Sequence, residues 1–421
     1  MDALYRSVWR WHLVAGLLVL PFLAWLAVTG GLYLYKAEIE RAVYADWLAV
    51  APRAPLSLGT MTARVEQATG GRVAQVTRPA ERESWRMTVA MADGTRRTAF
   101  VDPGDGRVLG TTRAGGVMSV VRELHSLIIA GPLGNAVIEI VAGWTIVLVL
   151  TGLWLWWPRG GAPAIGVRGK PRERRFWRDL HASTGIVAGA VILFLAVTGM
   201  PWSGVWGRGL QGLVAAQGWG RPKSPGPAPW AAAKGDHHAA ATLPWSMQRA
   251  LVPAASAGDI GPDRALSVAR GRGVGDGWTM TLPASPGAPY LVSATIARAD
   301  DAHVVYVDAG SGRLLQDARA PDFGPGARAI EWGIATHQGQ QYGEANRLVM
   351  LAGCIAILML VATAPVMWFK RRPRGLDLPP GRSGRGLTML MAGAGLLFPL
   401  TGLTMLVALV VAQARRRLAS G

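Results

Sequence analysis

The 421 residues carry 44 Lys and Arg against 26 Asp and Glu, a formal net charge of +18, yet 50% are hydrophobic and only 17% charged. Such a charge in a soluble chain would suggest nucleic acid. Here the basic residues crowd beside long apolar runs, so membrane topology accounts for them and no nucleic-acid partner is expected. The single cysteine, Cys354, lies inside an apolar run, which excludes a disulfide framework and a thiolate metal site.

Five apolar runs, at approximately 12–35, 136–157, 182–206, 345–369 and 386–412, are each long enough to span a bilayer. The first is preceded by Arg6 and Arg10, which argues for a cytoplasmic N-terminus. It is too long for a signal-peptide core, and the nearest small-residue site, Ala49-Val-Ala51, lies beyond Lys36, Glu38, Glu40 and Arg41. A retained membrane helix over residues 1–35 is expected. Within it His12 stands 17 residues before Thr29 in Leu26-Ala-Val-Thr-Gly30. That spacing is a helical rod of ~25 Å, close to the hydrocarbon thickness of a bilayer.

Segment 36–120 reads as a small outer α+β domain. Leu58, Met61, Val65 and Ala68 mark a helix at 58–69, and Trp85–Val89 and Thr98–Asp102 alternate as strands. The turn Pro103-Gly-Asp-Gly106 then leads into Arg107–Leu109. The second membrane helix is expected within 121–157. The loop 158–180 holds Arg159, Arg168, Lys170, Arg172, Arg174, Arg175 and Arg178, and is assigned to the cytoplasm.

The pattern then begins again. Within the third helix, 181–206, His181 stands 17 residues before Thr198 in a second Leu-Ala-Val-Thr-Gly. Segment 207–340 repeats the outer domain: a helix-like stretch at 255–270, strands at 278–282 and 304–308, and a turn at 309–312 before Arg313–Leu315. Val-Asp-Pro-Gly-Asp-Gly-Arg-Val-Leu in the first copy matches Val-Asp-Ala-Gly-Ser-Gly-Arg-Leu-Leu in the second. Residues 218–242, rich in Pro, Gly and Ala, read as a flexible insert. The fourth helix, 341–369, precedes a second cytoplasmic basic loop, 370–385, with Lys370, Arg371, Arg372, Arg374, Arg382 and Arg385. The fifth run, 386–412, is expected to span, although this puts Arg415, Arg416 and Arg417 of the tail 413–421 outside. The fold expected is a polytopic α-helical membrane protein: a four-helix repeat core, a fifth C-terminal hydrophobic helix and two small periplasmic α+β domains.

The order of these features carries a resemblance. An Arg-Trp-His helix with Thr-Gly near its exit is followed by a small domain ending in Val-Asp-x-Gly-x-Gly-Arg, and then by Leu124-His125 before the next helix. The chain resembles the PepSY-associated transmembrane proteins over nearly residues 1–372, and His337-Gln-Gly-Gln-Gln-Tyr-Gly343 is similar to the family's lead into its fourth helix. The fourth helix departs from the pattern with Thr363-Ala364 where the second has Thr151-Gly152; the fifth run lies outside the pattern. The family includes iron-regulated inner-membrane ferric-siderophore reductases. The resemblance therefore implies a bacterial inner-membrane protein that moves electrons outward to reduce a ferric siderophore or other iron chelate in the periplasm.

The residues suggest how. His12 and His181 fall on the cytoplasmic side, and His125 and His337 on the outer side. Two imidazoles at one depth on neighbouring helices are what a six-coordinate haem iron requires, so two haem b groups are expected, with another metal or interfacial roles as the alternatives. The positive field at a helix N-terminus favours neutral imidazole, the ligating form. Thr29, Thr198 and the small residues Gly16, Gly30, Gly185, Ala188, Gly189 and Gly199 give room for helices or a flat macrocycle.

Other signals are weaker. Gly207-Arg-Gly-Leu-Gln-Gly212 fits a dinucleotide fingerprint but follows a membrane helix, so the electron donor is expected to be a separate cytoplasmic protein or a quinol. Asp236-His237-His238 reads as a solvated loop or a chelating cluster. Glu139 is either a functional intramembrane carboxylate or a snorkelling or Arg-paired one. Trp9, Trp11, Trp154, Trp156, Trp157, Trp202, Trp206 and Trp368 read as an interfacial belt rather than an electron relay. Two other classes compete: a membrane-anchored ligand-binding or regulatory module without redox activity, and an iron-chelate transporter. Apart from Glu139 the helices offer few charges for a transport path.

Overall fold

The computed structural model describes residues 3–157, 165–220, 228–229, 243–248, 251–371 and 392–420. Most of the insert expected at 218–242, including Asp236-His237-His238, and the basic loop 370–385 beyond Arg371 lie outside the described residues. The chain divides into two units. One comprises Met1–Leu34, Arg122–Leu210 and His337–Gly421; the other comprises Tyr35–Val121 and Gln211–Thr336.

The elements follow one another in two similar halves. The first half runs α1 (Ala3–Leu34), short helices α2 (Lys36–Val43) and α3 (Ala45–Leu48), then α4 (Leu58–Thr69). Strands β1 (Arg72–Arg78), β2 (Trp85–Ala90), β3 (Arg96–Val101) and β4 (Val108–Arg113) come next, before α5 (Gly116–His125) and α6 (Gly131–Trp156). The second half runs α7 (Arg174–Gly199), α8 (Trp206–Ala216), the two-residue strands β5 (Ala228–Pro229) and β6 (Leu251–Val252), and α9 (Pro262–Gly271). It continues through β7 (Trp278–Thr281), β8 (Tyr290–Ala294), β9 (His303–Val307) and β10 (Leu314–Arg319). Helices α10 (Pro325–His337), α11 (Gly343–Phe369) and α12 (Pro399–Ser420) complete it.

In the helical unit, four segments are long and apolar enough to cross a membrane: Leu4–Leu34, Ile128–Trp156, Arg174–Trp202 and Gly343–Phe369. Helix α1 packs against α6 and α11, and α7 packs against the same two, so α1 and α7 are diagonal partners. Ala15, Val19, Val141, Trp144 and Val147 fill the contact between α1 and α6; Ala27, Ile192, Cys354 and Ile357 join α1, α7 and α11. Leu18, Val187 and Ile355 point outward, as lipid-facing positions do. The third helix starts earlier than expected, so Arg174, Arg175 and Arg178 belong to its first turns rather than to a loop. Asp179 gathers the basic segment onto α7 by accepting from Arg168 Nε at 2.7 Å and Arg178 at 2.8 Å.

Of the fifth run, residues 392–397 are helical, and after a bend at Phe398 helix α12 follows with the apolar stretch Pro399–Val411; residues 386–391 lie outside the described residues. Helix α12 docks on α6 at Gly143, where an added Cβ would collide with Thr401 Oγ1, and Trp144 Nε1 donates to Thr404 Oγ1 at 2.9 Å.

Glu139 is explained by this unit. It is 2% exposed on α6, and its carboxylate accepts the backbone N–H groups of Val205 (2.8 Å) and Trp206 (3.1 Å), capping the start of α8. Among the described residues it makes no ion pair, so neither the snorkelling nor the Arg-paired reading holds. Its charge is met by the positive end of a helix.

In the other unit the two copies do not stand apart as separate domains. They share one antiparallel sheet in the order β10-β9-β8-β7-β1-β2-β3-β4. The seam is β1 against β7, pairing Gln75 with Thr281, Val76 with Met280 and Thr77 with Thr279, where the two threonine hydroxyls meet at 3.1 Å. Helices α4 and α9 cover the same face: Met61, Val65, Ala265 and Ala269 bury against Val76, Met87, Met280 and Val292. Trp85 and Trp278, the first residues of β2 and β7, meet edge-on at 5.6 Å. The second copy also caps the first, since Asp263 of α9 accepts from Leu58 N at 2.7 Å and Gly59 N at 2.9 Å at the start of α4.

The repeated Val-Asp turns have the geometry their composition predicts. Asp102 accepts from Gly104 N and Asp308 from Gly310 N, while Gly106 and Gly312 hold φ of 72° and 75°. Asp308 is also tied to Ser256. Burial pushes its carboxyl up, but the hydrogen bonds from Ser256, Ser311 and Gly310 outweigh it and hold the group below the usual carboxylate range.

Two tests follow from these contacts. A folded carboxyl more acidic than its unfolded form stabilises above the ordinary Asp range and loses that contribution as the pH falls through it. Asp308→Asn should therefore lower the melting temperature at pH 7 and flatten its decline on acidification, followed by thermal unfolding of the detergent-solubilised chain. Glu139→Leu should destabilise by about 1–3 kcal/mol by orphaning two buried donors, whereas Glu139→Gln should lose much less.

Candidate functional site

Each of the four histidines bonds to a threonine on another helix, and the pattern is reciprocal. His12 Nδ1 of α1 lies 2.9 Å from Thr151 Oγ1 of α6, while Thr29 Oγ1 of α1 lies 2.9 Å from His125 Nδ1, which precedes α6. The second half repeats this. His181 Nδ1 of α7 lies 2.8 Å from Thr363 Oγ1 of α11, and Thr198 Oγ1 of α7 lies 2.9 Å from His337 Nδ1, which precedes α11. The histidine near one end of each helix pair thus meets the Thr-Gly or Thr-Ala near the exit of its antiparallel neighbour.

Helix geometry explains why threonine suits the place. Thr29, Thr151 and Thr363 are buried at 5%, 6% and 2% exposure, where a hydroxyl needs partners. Each Thr also bonds back to the carbonyl four residues earlier: Thr29 to Trp25 and Thr151 to Val147 at 2.7 Å, Thr198 to Phe194 at 2.6 Å, Thr363 to Met359 at 2.9 Å. The following glycine leaves room for the ring. A Cβ added at Gly30, Gly152 or Gly199 would lie 3.2, 3.2 or 3.6 Å from the Cε1 of His125, His12 or His337. Gly16, Gly185 and Gly189, also singled out by sequence, have only ordinary van der Waals neighbours at that position.

His12 and His181 lie on the diagonal helices α1 and α7, while His125 and His337 lie at the ends of the helices that lead into α6 and α11. Their positions along the helices differ from expectation. Helices α1 and α7 begin well before His12 and His181, and His125 and His337 end the short helices α5 and α10. The N-terminal dipole argument therefore does not apply; the threonine contact is what these rings share. Between His125 and α6 the chain breaks at Leu127 (φ 49°) and a short turn at Ile128–Ala130, and Gly131-Pro132 starts helix α6.

The surroundings are aromatic and apolar. Trp202 meets His337 edge-on at 6.3 Å, and Trp11 stacks on Trp144 at 6.1 Å beside His12. Trp25 Nε1 donates to the Leu124 carbonyl at 2.7 Å, holding the segment that carries His125. Arg371 lies over the ring of Trp9 at 4.6 Å. The glycine pattern at 207–212 lies within α8 and follows no strand, so it forms no dinucleotide loop. Cys354 is a buried free thiol in α11.

Chemically, the arrangement offers two imidazoles per end, each with one nitrogen tied and one left over. A group that brings its own equatorial donors and needs only two axial ones fits that set. Among the described residues no three His, Cys, Asp or Glu side chains converge as an ordinary metal-ion site needs. Sequence reasoning named all four histidines and both kinds of Thr motif, but not their pairing. One signal was present: His125 precedes Thr151 by the same interval as His337 precedes Thr363.

No match to the chain occurs among curated proteins. The sequence profile described as the PepSY-associated TM region matches residues 9–371, from just before His12 to the end of the fourth span. With four helices long and apolar enough to cross a bilayer and a match over most of its length, the chain belongs to this family of multi-pass membrane proteins.

Proposed function

We propose that the chain is a haem b protein that passes electrons across the bacterial inner membrane to a ferric siderophore or similar iron chelate. His12 and His181 hold one haem and His125 and His337 the other. The observation that carries this is the fourfold His–Thr pairing, two per end, in a helical bundle. An imidazole held on one side by a buried hydroxyl has its rotation about the ring axis restricted, which is how metal-ligating histidines are oriented. Trp202 meets the His337 ring edge-on, and Trp11, next to His12 in the chain, stacks on Trp144. A haem held by two imidazoles would supply one-electron transfer rather than oxygen chemistry.

Orientation comes from charge. Arg168, Lys170, Arg172, Lys370 and Arg371 gather at the end that holds His12, so this end faces the cytoplasm and receives electrons from a soluble donor or a quinol. The sheet unit is then periplasmic and meets the chelate. Reduction weakens the hold of hard oxygen ligands, which favour Fe(III), and frees the metal.

The test is a visible spectrum of the detergent-solubilised chain, oxidised and then reduced with dithionite. A low-spin Soret band and sharp α band are expected. His12→Ala or His181→Ala should each remove roughly half of the haem, and His125→Ala or His337→Ala the other half. A purified, folded chain without a Soret band, tolerant of all four substitutions, would instead mark a membrane-anchored binding module.

A further inference from the structure

We infer that Thr29, Thr151, Thr198 and Thr363 are positioning residues that fix the four imidazoles in one tautomer, with the proton on Nδ1, and so reserve Nε2 for a ligand. The inference about ligation rests on the haem reading above; the tautomer itself does not.

A threonine hydroxyl has one hydrogen and two lone pairs. In all four cases the oxygen sits within 2.6–2.9 Å of the carbonyl four residues back, and a carbonyl oxygen can only accept. The hydroxyl proton is therefore committed along the helix, and what Oγ1 turns to the ring is a lone pair. The Nδ1 atoms at 2.8–2.9 Å must then bring the hydrogen. In neutral imidazole one nitrogen is the donor and the other the acceptor, so Nε2 is left bare.

The opposite assignment can be weighed. If each threonine donated to Nδ1, the proton would sit on Nε2, and that N–H would need an acceptor. The Nδ1 contact is the only side-chain hydrogen bond each of these rings makes among the described residues. A buried N–H without an acceptor is costly, whereas a bare Nε2 is the form a metal requires.

Comparison between the two halves of the chain separates the essential group from the accessory one. Glycine follows threonine at three of the four places, and Ala364 replaces it at the fourth. The hydroxyl and its bond to Nδ1 are present at all four. Room beside the ring is therefore adjustable, and the proton acceptor is the common element.

The test is 15N NMR of the full chain in lipid nanodiscs, labelled at histidine and reduced with dithionite so that any low-spin haem is diamagnetic. Four of the seven histidines should appear as neutral rings protonated at Nδ1. Thr151→Val and Thr363→Val should each shift one such Nδ1–H signal, from His12 and His181, as its hydroxyl acceptor is lost, and raise the midpoint potential of the haem between them. Thr151→Ser and Thr363→Ser should restore both readouts. Rings protonated at Nε2 in the wild-type chain, or valine variants with unchanged signals and potential, would overturn the inference. A wild-type chain without a Soret band would end the haem proposal, yet its histidine spectrum would still decide the tautomer.

Discussion

The bond between an imidazole near one end of a helix and a hydroxyl near the far end of its neighbour organises the membrane unit. It is made four times, twice in each half of the chain. Inside a bilayer apolar side chains gain little by leaving lipid for protein, so helix association depends on packing and polar contacts. Each His–Thr bond ties two antiparallel helices at one level, and the reciprocal pair within a half ties them at both ends. Register, tilt and depth of the histidines are settled together. Diagonal placement of α1 and α7 then brings the two halves' rings to the same end.

Much of this was legible because the chain repeats itself. A run of apolar residues with His at one end and Thr-Gly at the other is visible once, and its recurrence shows that spacing matters. Periodicity also located α4, β2 and β7 closely, since their buried faces alternate or recur cleanly. What remained hidden was relational. Nothing in Thr29 or Thr363 taken alone says which histidine it meets, because the partner lies on another helix. Glu139 read either as a functional carboxylate or as a snorkelling or Arg-paired one for the same reason: its partners are the backbone donors of α8, and backbone groups leave no mark in composition.

The helix starts misled in a different way. Basic residues before His181 read as a loop because charge signals the bilayer boundary, but α7 continues through them to Arg174. A helix need not end where the membrane does. The described part of the fifth apolar run lies against α6.

The seam between β1 and β7 has a consequence for how the protein is made. Residues 72–78 leave the ribosome some two hundred positions before their partners at 278–281, with two spans still to be inserted between them. Throughout that interval the nascent first half presents an open strand edge, the kind of surface that pairs with whatever β-structure it meets. Correct maturation is therefore a race between completion of the polypeptide and capture by a neighbour. Proteins of this build should be sensitive to anything that stalls translation between their two halves.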